Sequence, residues 1–350
     1  MKDIQQKIYN KKNLSVDDSQ AVFNKLIKGE LSEIEMTSLL VSLKMKGEQP
    51  QEVAGAAEAL RNHANHFPKP DYVVADSCGT GGSGMHTVNI STMVAIVLAE
   101  LGLPMVKHGN RSVSSKCGSA DVLETLGFKI DLSAENSKKC LDQFNFCFLF
   151  APLYHPGVKH VMPVRTQLQT RTIFNLLGPL INPAKPEFQL MGVYSPELGL
   201  SAAETLKLAG CQSAMIVHSA GYDEITLHSE THVVELNQGN IESYKLTHSD
   251  FGLPACKAED ISGDDPKENA DVFVKIMKGK LTDNKLQAIA NTVAANTAAL
   301  LKVSGKIADL KDGATQALNV IKSGKTFERL NNLVQLSQEL SQPQSNSSAG

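Results

Sequence analysis

Residues 76–84 read Asp-Ser-Cys-Gly-Thr-Gly-Gly-Ser-Gly, directly after an apolar run. Glycine tolerates positive φ and lets a ligand come close to the backbone. Successive amides in such a turn converge on an anion, and a helix opening just behind adds its positive end. Phosphate or diphosphate is the ligand this chemistry suits. Gly79, Gly81 and Gly84 also meet the spacing of a dinucleotide-binding fingerprint. That fingerprint wants the helix to open within the glycines, and an acidic residue at the end of the next strand about 20 positions on. Here Met85-His-Thr-Val88 intervenes before Asn89, and Glu100 falls inside the expected helix. An ordinary glycine-rich turn is the third reading. Asn89-Ile-Ser-Thr92 opens the helix, and its side chains suit either plain capping or contact with Mg²⁺ and phosphate oxygens.

A second loop, Lys107-His-Gly-Asn-Arg-Ser-Val-Ser-Ser-Lys-Cys-Gly-Ser119, follows the next strand-like run. It carries three cations, several hydroxyls and two glycines. Open α/β sheets bind ligands at the carboxyl ends of their strands, so such a loop suits a phosphate; the alternative is a solvated loop. Farther on, Asp223-Glu224 follows Gly221. Adjacent side chains on a strand point apart, but a turn brings two carboxylates to one Mg²⁺, which takes few carboxylates plus substrate phosphates. An exposed acidic turn is the competing reading. Arg165 suits bidentate capture of a carboxylate, or a surface ion pair. His155 and His160 lack metal-ligand spacing and read as capping or core residues, and residues 171–183 as a packed helix and turn.

These groups need a scaffold. With 350 residues, 42 % apolar and 20 % charged, the chain suits one large or two unequal globular domains. Net charge is −3, aromatics are 5 % and Trp is absent, which argues against a nucleic-acid surface. No apolar run is long enough for a membrane span, and residues 1–12 lack the apolar core of a secretory signal. The six scattered cysteines form no CxxC pair and read as reduced thiols of a cytoplasmic protein.

Periodicity predicts helices over 16–63, broken at Gly47 and Pro50, and a linker over 64–72. The pattern then alternates. Short strands are expected at 73–75, 103–106, 146–150, 189–194 and 214–218. A helix with one apolar stripe (Ile90, Val94, Val97, Leu98, Leu101) is expected over 89–101, and another from Ser119. Residues 224–228 and 232–236 alternate like antiparallel strands, residues from 267 are helical, and the tail from Gln342 is disordered. The pattern is α/β: a small, mainly helical domain beside a larger domain with a central, largely parallel sheet flanked by helices. The expected division is 1–70 helical, joined by a later segment near 160–185; 71–340 α/β; and 341–350 tail.

Taken together the motifs resemble the anthranilate phosphoribosyltransferases. The pieces are Gly79-Thr-Gly-Gly82, Asn89-Ile-Ser-Thr92, Lys107-His-Gly-Asn-Arg111, Val113-Ser-Ser-Lys116, Gly118-Ser-Ala-Asp-Val-Leu-Glu124, Arg171-Thr-Ile-Phe-Asn-Leu-Leu-Gly-Pro179, His218 and Asp223-Glu-Ile225. The similarity runs from about residue 16 to 335. It implies a homodimer with the site in the cleft between the two domains. Phosphoribosyl diphosphate would contact Gly79, Gly82, Ser83, Thr87, Asn89, Ile90, Ser91 and Thr92. The second loop would add Lys107, His108, Gly109, Asn110, Arg111, Ser112, Val113, Ser114, Ser115 and Ser119. Two Mg²⁺ ions would sit on Ser91, Asp223 and Glu224. Anthranilate would contact Gly79, Asn110 and Arg165, with His108 lining its path. Two positions depart from the family pattern: Ser83 stands where aspartate is usual, and Thr166 where a second arginine is common beside Arg165.

The reaction so implied displaces diphosphate from C1 of the ribose by the anthranilate amine, giving N-(5-phosphoribosyl)anthranilate for tryptophan biosynthesis. Other readings are a pyrimidine nucleoside phosphorylase, a nicotinamide-dependent dehydrogenase, and a phosphoribosyl-diphosphate-binding protein without catalysis.

Overall fold

The computed structural model describes residues 2–81, 84–112 and 116–342. Seven strands form one sheet: β1 (Ala75–Gly79), β2 (Met105–Gly109), β3 (Phe146–Phe150), β4 (Phe188–Gly192), β5 (Ser213–His218), β6 (Thr231–Asn237) and β7 (Asn240–Leu246). Their order is β3-β2-β1-β4-β5-β6-β7. The first five are mutually parallel, and β6 and β7 add antiparallel at one edge. The chain moves outward from β1 to β3 and then returns to lay β4 on the other side of β1. The β1/β4 boundary is therefore a topological switch point, where the loops leaving adjacent strand ends diverge and open a crevice.

A small N-terminal helical domain precedes this larger α/β domain. Ser15 and Ser32 cap the Val16–Ile27 and Glu33–Lys46 helices, and Asp18 and Glu35 return the bond to each cap's amide. The Val16–Ile27 and Pro50–Asn62 helices pack so closely that a Cβ on Gly55 would lie 2.3 Å from the Val16 carbonyl. Between them Glu52, fully buried, accepts from the Leu14 amide at 2.8 Å and from Lys46 Nζ at 2.9 Å. A charge so buried is tolerated because its lone pairs are taken.

Two apolar cores lie on opposite faces of the sheet. Along β4 and β5, Leu190, Met215 and Val217 join one core, while Met191, Ala214 and Ile216 join the other. The second core also contains Phe23, Leu39 and Leu60 of the helical domain together with Val161, Phe174 and Leu177. The first is roofed by the Ile90–Glu100 and Asn284–Val303 helices. The Ile90–Glu100 helix is buried all round, with Met93, Ala95 and Ile96 as inaccessible as the stripe expected from periodicity. It lies between the sheet and a further helical layer, and only Ser91 and Glu100 at its two ends are partly exposed.

Three local expectations are corrected. Lys2–Tyr9 is a helix that the polar N-terminus did not announce. The first strand begins at Ala75 rather than at 73, because the Val74 amide binds the Glu187 carboxylate outside the ladder. Residues 224–228 are not a strand; the hairpin pairs β6 with β7. The alternation arises because Ile225 and Leu227 are buried, while the backbone of Ile225 bonds to the side chain of Asn296. Residues 343–350 of the expected disordered tail lie outside the described residues. No helix among the described residues is long and apolar enough to cross a membrane.

Candidate active site

The glycine-rich turn leaves the end of β1, where Gly79 pairs with Gly192 of β4. Asp223 lies across both. A Cβ on Gly79 would be 2.3 Å from Asp223 Oδ2, and one on Gly192 would be 1.6 Å from the Asp223 carbonyl oxygen. At Gly192 backbone space alone requires glycine, and at Gly79 a side chain would displace the Asp223 carboxylate. The Gly81 amide donates to Asp223 Oδ2 at 2.9 Å, and Gly81 has a φ of 64°, where a side chain would be strained. The acidic pair, more than 140 residues downstream in sequence, thus sits directly against the glycine-rich turn.

The turn that delivers Asp223 is built from residues 219–222. Ser219 and Tyr222 exchange backbone bonds at 3.0 and 2.8 Å, with positive φ at Ala220 and Gly221. His218 braces it. A carbonyl only accepts and an amide only donates, so Nδ1 donates to the Val193 carbonyl at 2.8 Å and Nε2 accepts from the Gly221 amide at 3.1 Å. Beyond the pair, the Asn296 side chain grips both backbone groups of Ile225 at 3.1 and 2.8 Å. Burial, and then the charge of Asp223, push the Glu224 carboxyl up to about 8 against a hydrogen bond from Thr87. Two adjacent carboxylates, one resisting ionisation, form a donor set that a divalent cation fits, with substrate phosphates completing its shell. Among the described residues no group of three or more His, Cys, Asp or Glu is placed to hold a metal, so protein carboxylates alone do not complete one.

Lys107 does not point into open solvent. It is 2 % exposed, and its ammonium donates to the Ser77 carbonyl at 2.7 Å and to Ser91 Oγ at 3.1 Å. Burial lowers its pKa, with the Asp76 charge opposing. It ties β2 to β1 and to the first turn of the Ile90–Glu100 helix. Asn89, expected as a cap, makes no side-chain cap bond. Its amide group instead binds Cys117, Nδ2 to the carbonyl and Oδ1 from the thiol, both at 3.2 Å.

In the second loop, Asp121 Oδ2 accepts from the amides of Ser112 and Gly118, each at 2.9 Å, and so pins both ends. Asn110 Oδ1 accepts from the Arg111 amide at 2.7 Å, while its carbonyl accepts from the Ser119 hydroxyl at 3.4 Å. A Cβ on Gly109 would lie 2.3 Å from Ser119 Oγ. The Arg111 guanidinium turns outward to Glu124, in two bonds of 2.6 and 3.0 Å, and to Asp121 at 3.4 Å. Gly82, Ser83, Val113, Ser114 and Ser115, all expected to meet the donor, lie outside the described residues.

On the side of the helical domain, the Arg165 guanidinium stacks 5.1 Å from the centre of Phe174. Among the described residues it has no carboxylate partner, and burial lowers its hold on the proton. His108 is buried, its ring 5.2 Å from that of His155 at an interplanar angle of 79°. Burial, and then His155, push His108 down to about 3; burial pushes His155 to about 4. Both are neutral rings near neutral pH and carry no positive charge toward a phosphate. Asp121, Asn296 and Cys117 were not anticipated from sequence. Only Asp121 had a local signal, an acid three residues after the glycine that starts its helix.

The dinucleotide-binding reading fails on geometry, because the helix begins at Ile90, well past Gly84. The remaining arrangement is a helical bundle joined to an α/β domain, with anion-suited loops and an acidic pair at the switch point. Residues 71–327 match the glycosyl transferase family a/b domain, and residues 2–64 the helical bundle domain of that family. The chain is 49 % identical over 330 residues to the anthranilate phosphoribosyltransferase of Pectobacterium carotovorum, covering 94 % of this chain and 92 % of that one. It superposes on the Thermus thermophilus anthranilate phosphoribosyltransferase with a TM-score of 0.90 at 37 % identity, covering 96 % of this chain and 99 % of that one. It also matches the Saccharomyces cerevisiae enzyme in complex with PRPP and Mg, at a TM-score of 0.83, 28 % identity and 93 % coverage of each chain. The same yeast enzyme with 4-fluoroanthranilate gives 0.86 at 27 % identity, covering 96 % and 97 %. The chain belongs to the anthranilate phosphoribosyltransferase family of glycosyltransferase enzymes.

Proposed function

We propose that this chain transfers the phosphoribosyl group of phosphoribosyl diphosphate to the amine of anthranilate, with Mg²⁺, releasing diphosphate. The observation that carries the reading is the packing of Asp223 against Gly79, Gly81 and Gly192, which sets an acidic pair beside a diphosphate-suited turn. A yeast relative binds PRPP and Mg, which supports the donor and the metal. Asp223, Glu224 and Ser91 would hold Mg²⁺, two ions in all. Bound there, Mg²⁺ offsets charge on the leaving diphosphate. The Gly79–Thr92 segment and the Lys107–Ser119 loop bind and orient the donor through amides and hydroxyls. Arg165, free of any carboxylate among the described residues, takes the anthranilate carboxylate and turns the amine toward C1; Gly79 and Asn110 line the acceptor and His108 its path. The N–C1 bond forms, the C1–O bond to diphosphate breaks, and the amine proton passes to solvent. An aromatic amine needs no strong base, so positioning and charge neutralisation do most of the work.

Residues 1–70, with the segment near 160–185, form the domain that carries Arg165 and closes one wall of the cleft. The enzyme acts in tryptophan biosynthesis in the cytoplasm as a homodimer. The Glu33–Lys46 helix supports the last point: Ile34, Val41 and Met45 share one face and are 82, 36 and 79 % exposed, beside Tyr9 at 55 %. A row of exposed apolar side chains is a docking face for a second copy. The deciding experiment mixes protein, Mg²⁺, phosphoribosyl diphosphate and anthranilate and follows anthranilate fluorescence. Loss that requires all components is expected; no loss across a range of Mg²⁺ concentrations overturns the reading.

A further inference from the structure

Both donor loops rest on one distant segment that touches neither the donor nor the acceptor in the reading above. Residues 261–263 run antiparallel to 86–88: the Val88 amide donates to the Ile261 carbonyl at 3.2 Å, and the Gly263 amide to the His86 carbonyl at 2.9 Å. The approach is close. A Cβ on Gly263 would lie 2.7 Å from both the Thr87 carbonyl oxygen and the Val88 nitrogen. The next residue, Asp264, forms an ion pair with Lys116 of the second loop. Asn269, 3 % exposed, donates from Nδ2 to the Asp264 carbonyl at 2.9 Å and fixes that residue from behind. Cys117, within the second loop and 7 % exposed, reaches across to Asn89 at the start of the Ile90–Glu100 helix and is bonded to it twice. One side of this assembly therefore sets where the first helix turn begins. The other side sets where the second loop ends.

We propose that Cys117 and Asp264 are positioning residues that hold the two donor loops in register, with the 261–269 segment as their common backing. The inference rests on the donor reading of those loops. A diphosphate spanning two loops binds well only if their amides and hydroxyls are already spaced for it, and displacement of about 1 Å at a reacting group can cost a hundredfold. Asp264 acts through Lys116, and Cys117 acts through Asn89. Burial pushes the Cys117 thiol up to about 11, so it stands there as a hydrogen-bonding group rather than a nucleophile.

The test compares wild-type protein with Cys117→Ala, Cys117→Ser and Asp264→Asn in steady-state kinetics, varying phosphoribosyl diphosphate and anthranilate separately. Cys117→Ala is expected to raise the donor KM about tenfold and Asp264→Asn about threefold, with the acceptor KM within about twofold. Cys117→Ser, which keeps a donor for Asn89, is expected to return the donor KM to within about twofold of wild type. An unchanged donor KM in both Cys117→Ala and Asp264→Asn overturns the proposal. So does an equal rise in both KM values, which is what general loosening would give. Asp264 is at the surface, so its variant decides the matter if Cys117→Ala fails to melt cooperatively. Failure of wild-type protein to saturate with phosphoribosyl diphosphate would instead sink the donor reading itself.

Discussion

Arg165 faces Phe174 with no carboxylate among the described residues, and a half-buried guanidinium in that state is ready for an anion. Arg165→Ala is expected to raise the anthranilate KM by about tenfold to a hundredfold, the value of a lost charge-assisted bond, and to leave donor affinity within about twofold. Calorimetric titration with each substrate checks it; a collapse of donor binding with acceptor binding intact would show the assignment to be wrong. Arg111 is the contrasting case. Its side chain is engaged by Glu124 and Asp121, so the cation richness of the second loop in sequence overstates the charge it offers a ligand. Lys107 likewise acts from within, bracing Ser77 and Ser91. Residue type alone identified these cations, but only their partners show which way they point.

The segment from Ser219 to Ile225 is the element on which the acidic pair depends. It has no ladder of its own and is held by His218 on one side and Asn296 on the other. Asn296→Ala strips partners from two buried backbone groups and is expected to cost about 2–4 kcal/mol of stability, with a weaker response of activity to added Mg²⁺. Thermal melts read the first and a Mg²⁺ titration of activity the second; an unaltered melting temperature would remove Asn296 from this role. The same segment marks the limit of what was legible in the sequence. The parallel strands and most helices followed from apolar period, and the glycine-rich turn, the second loop and the acidic pair followed from residue type and place. Residues 224–228 misled because burial of Ile225 and Leu227 imitates a strand when the hydrogen bonds go to a side chain 71 positions away. Lys2–Tyr9 escaped because Ile8 is its one buried residue. Partners so far apart in the chain leave no mark in a local pattern.

Across the whole molecule, burial makes stability depend on acid. His155 has a folded pKa of about 4, below its ordinary 6.5. As pH falls through 6.5 the unfolded chain takes the proton first, so the stability tied to the neutral ring is full above 6.5 and is lost toward 4. Asp76, raised to about 6 by burial, runs the other way, so a variant comparison reads the effect more cleanly than a single curve. The His155 ring nitrogens face the Leu60 and Ile181 backbone without making a hydrogen bond of ordinary geometry, which makes phenylalanine a mild replacement. His155→Phe is expected to lose melting temperature less steeply than wild type between pH 6.5 and 4; parallel slopes would contradict it. Assembly is the second property at this scale. If the exposed row on the Glu33–Lys46 helix is the dimer face, Ile34→Asp should sediment as a monomer at concentrations where wild type is dimeric. Wild-type protein that is monomeric throughout would rule that face out.

The crossing of Asp223 over Gly79 and Gly192 also bears on how this chain can vary. Every missense change at a glycine codon adds at least a Cβ, whatever base is altered. At Gly79 that atom meets the Asp223 carboxylate, and at Gly192 it meets the Asp223 main chain. Neither position has a one-step neighbour in the genetic code that leaves the acidic pair where it stands. A saturation library selected for growth without tryptophan should therefore be almost blank at these two codons. Gly102 and Gly210, which have nothing within 4 Å and only a positive φ to defend, should tolerate asparagine.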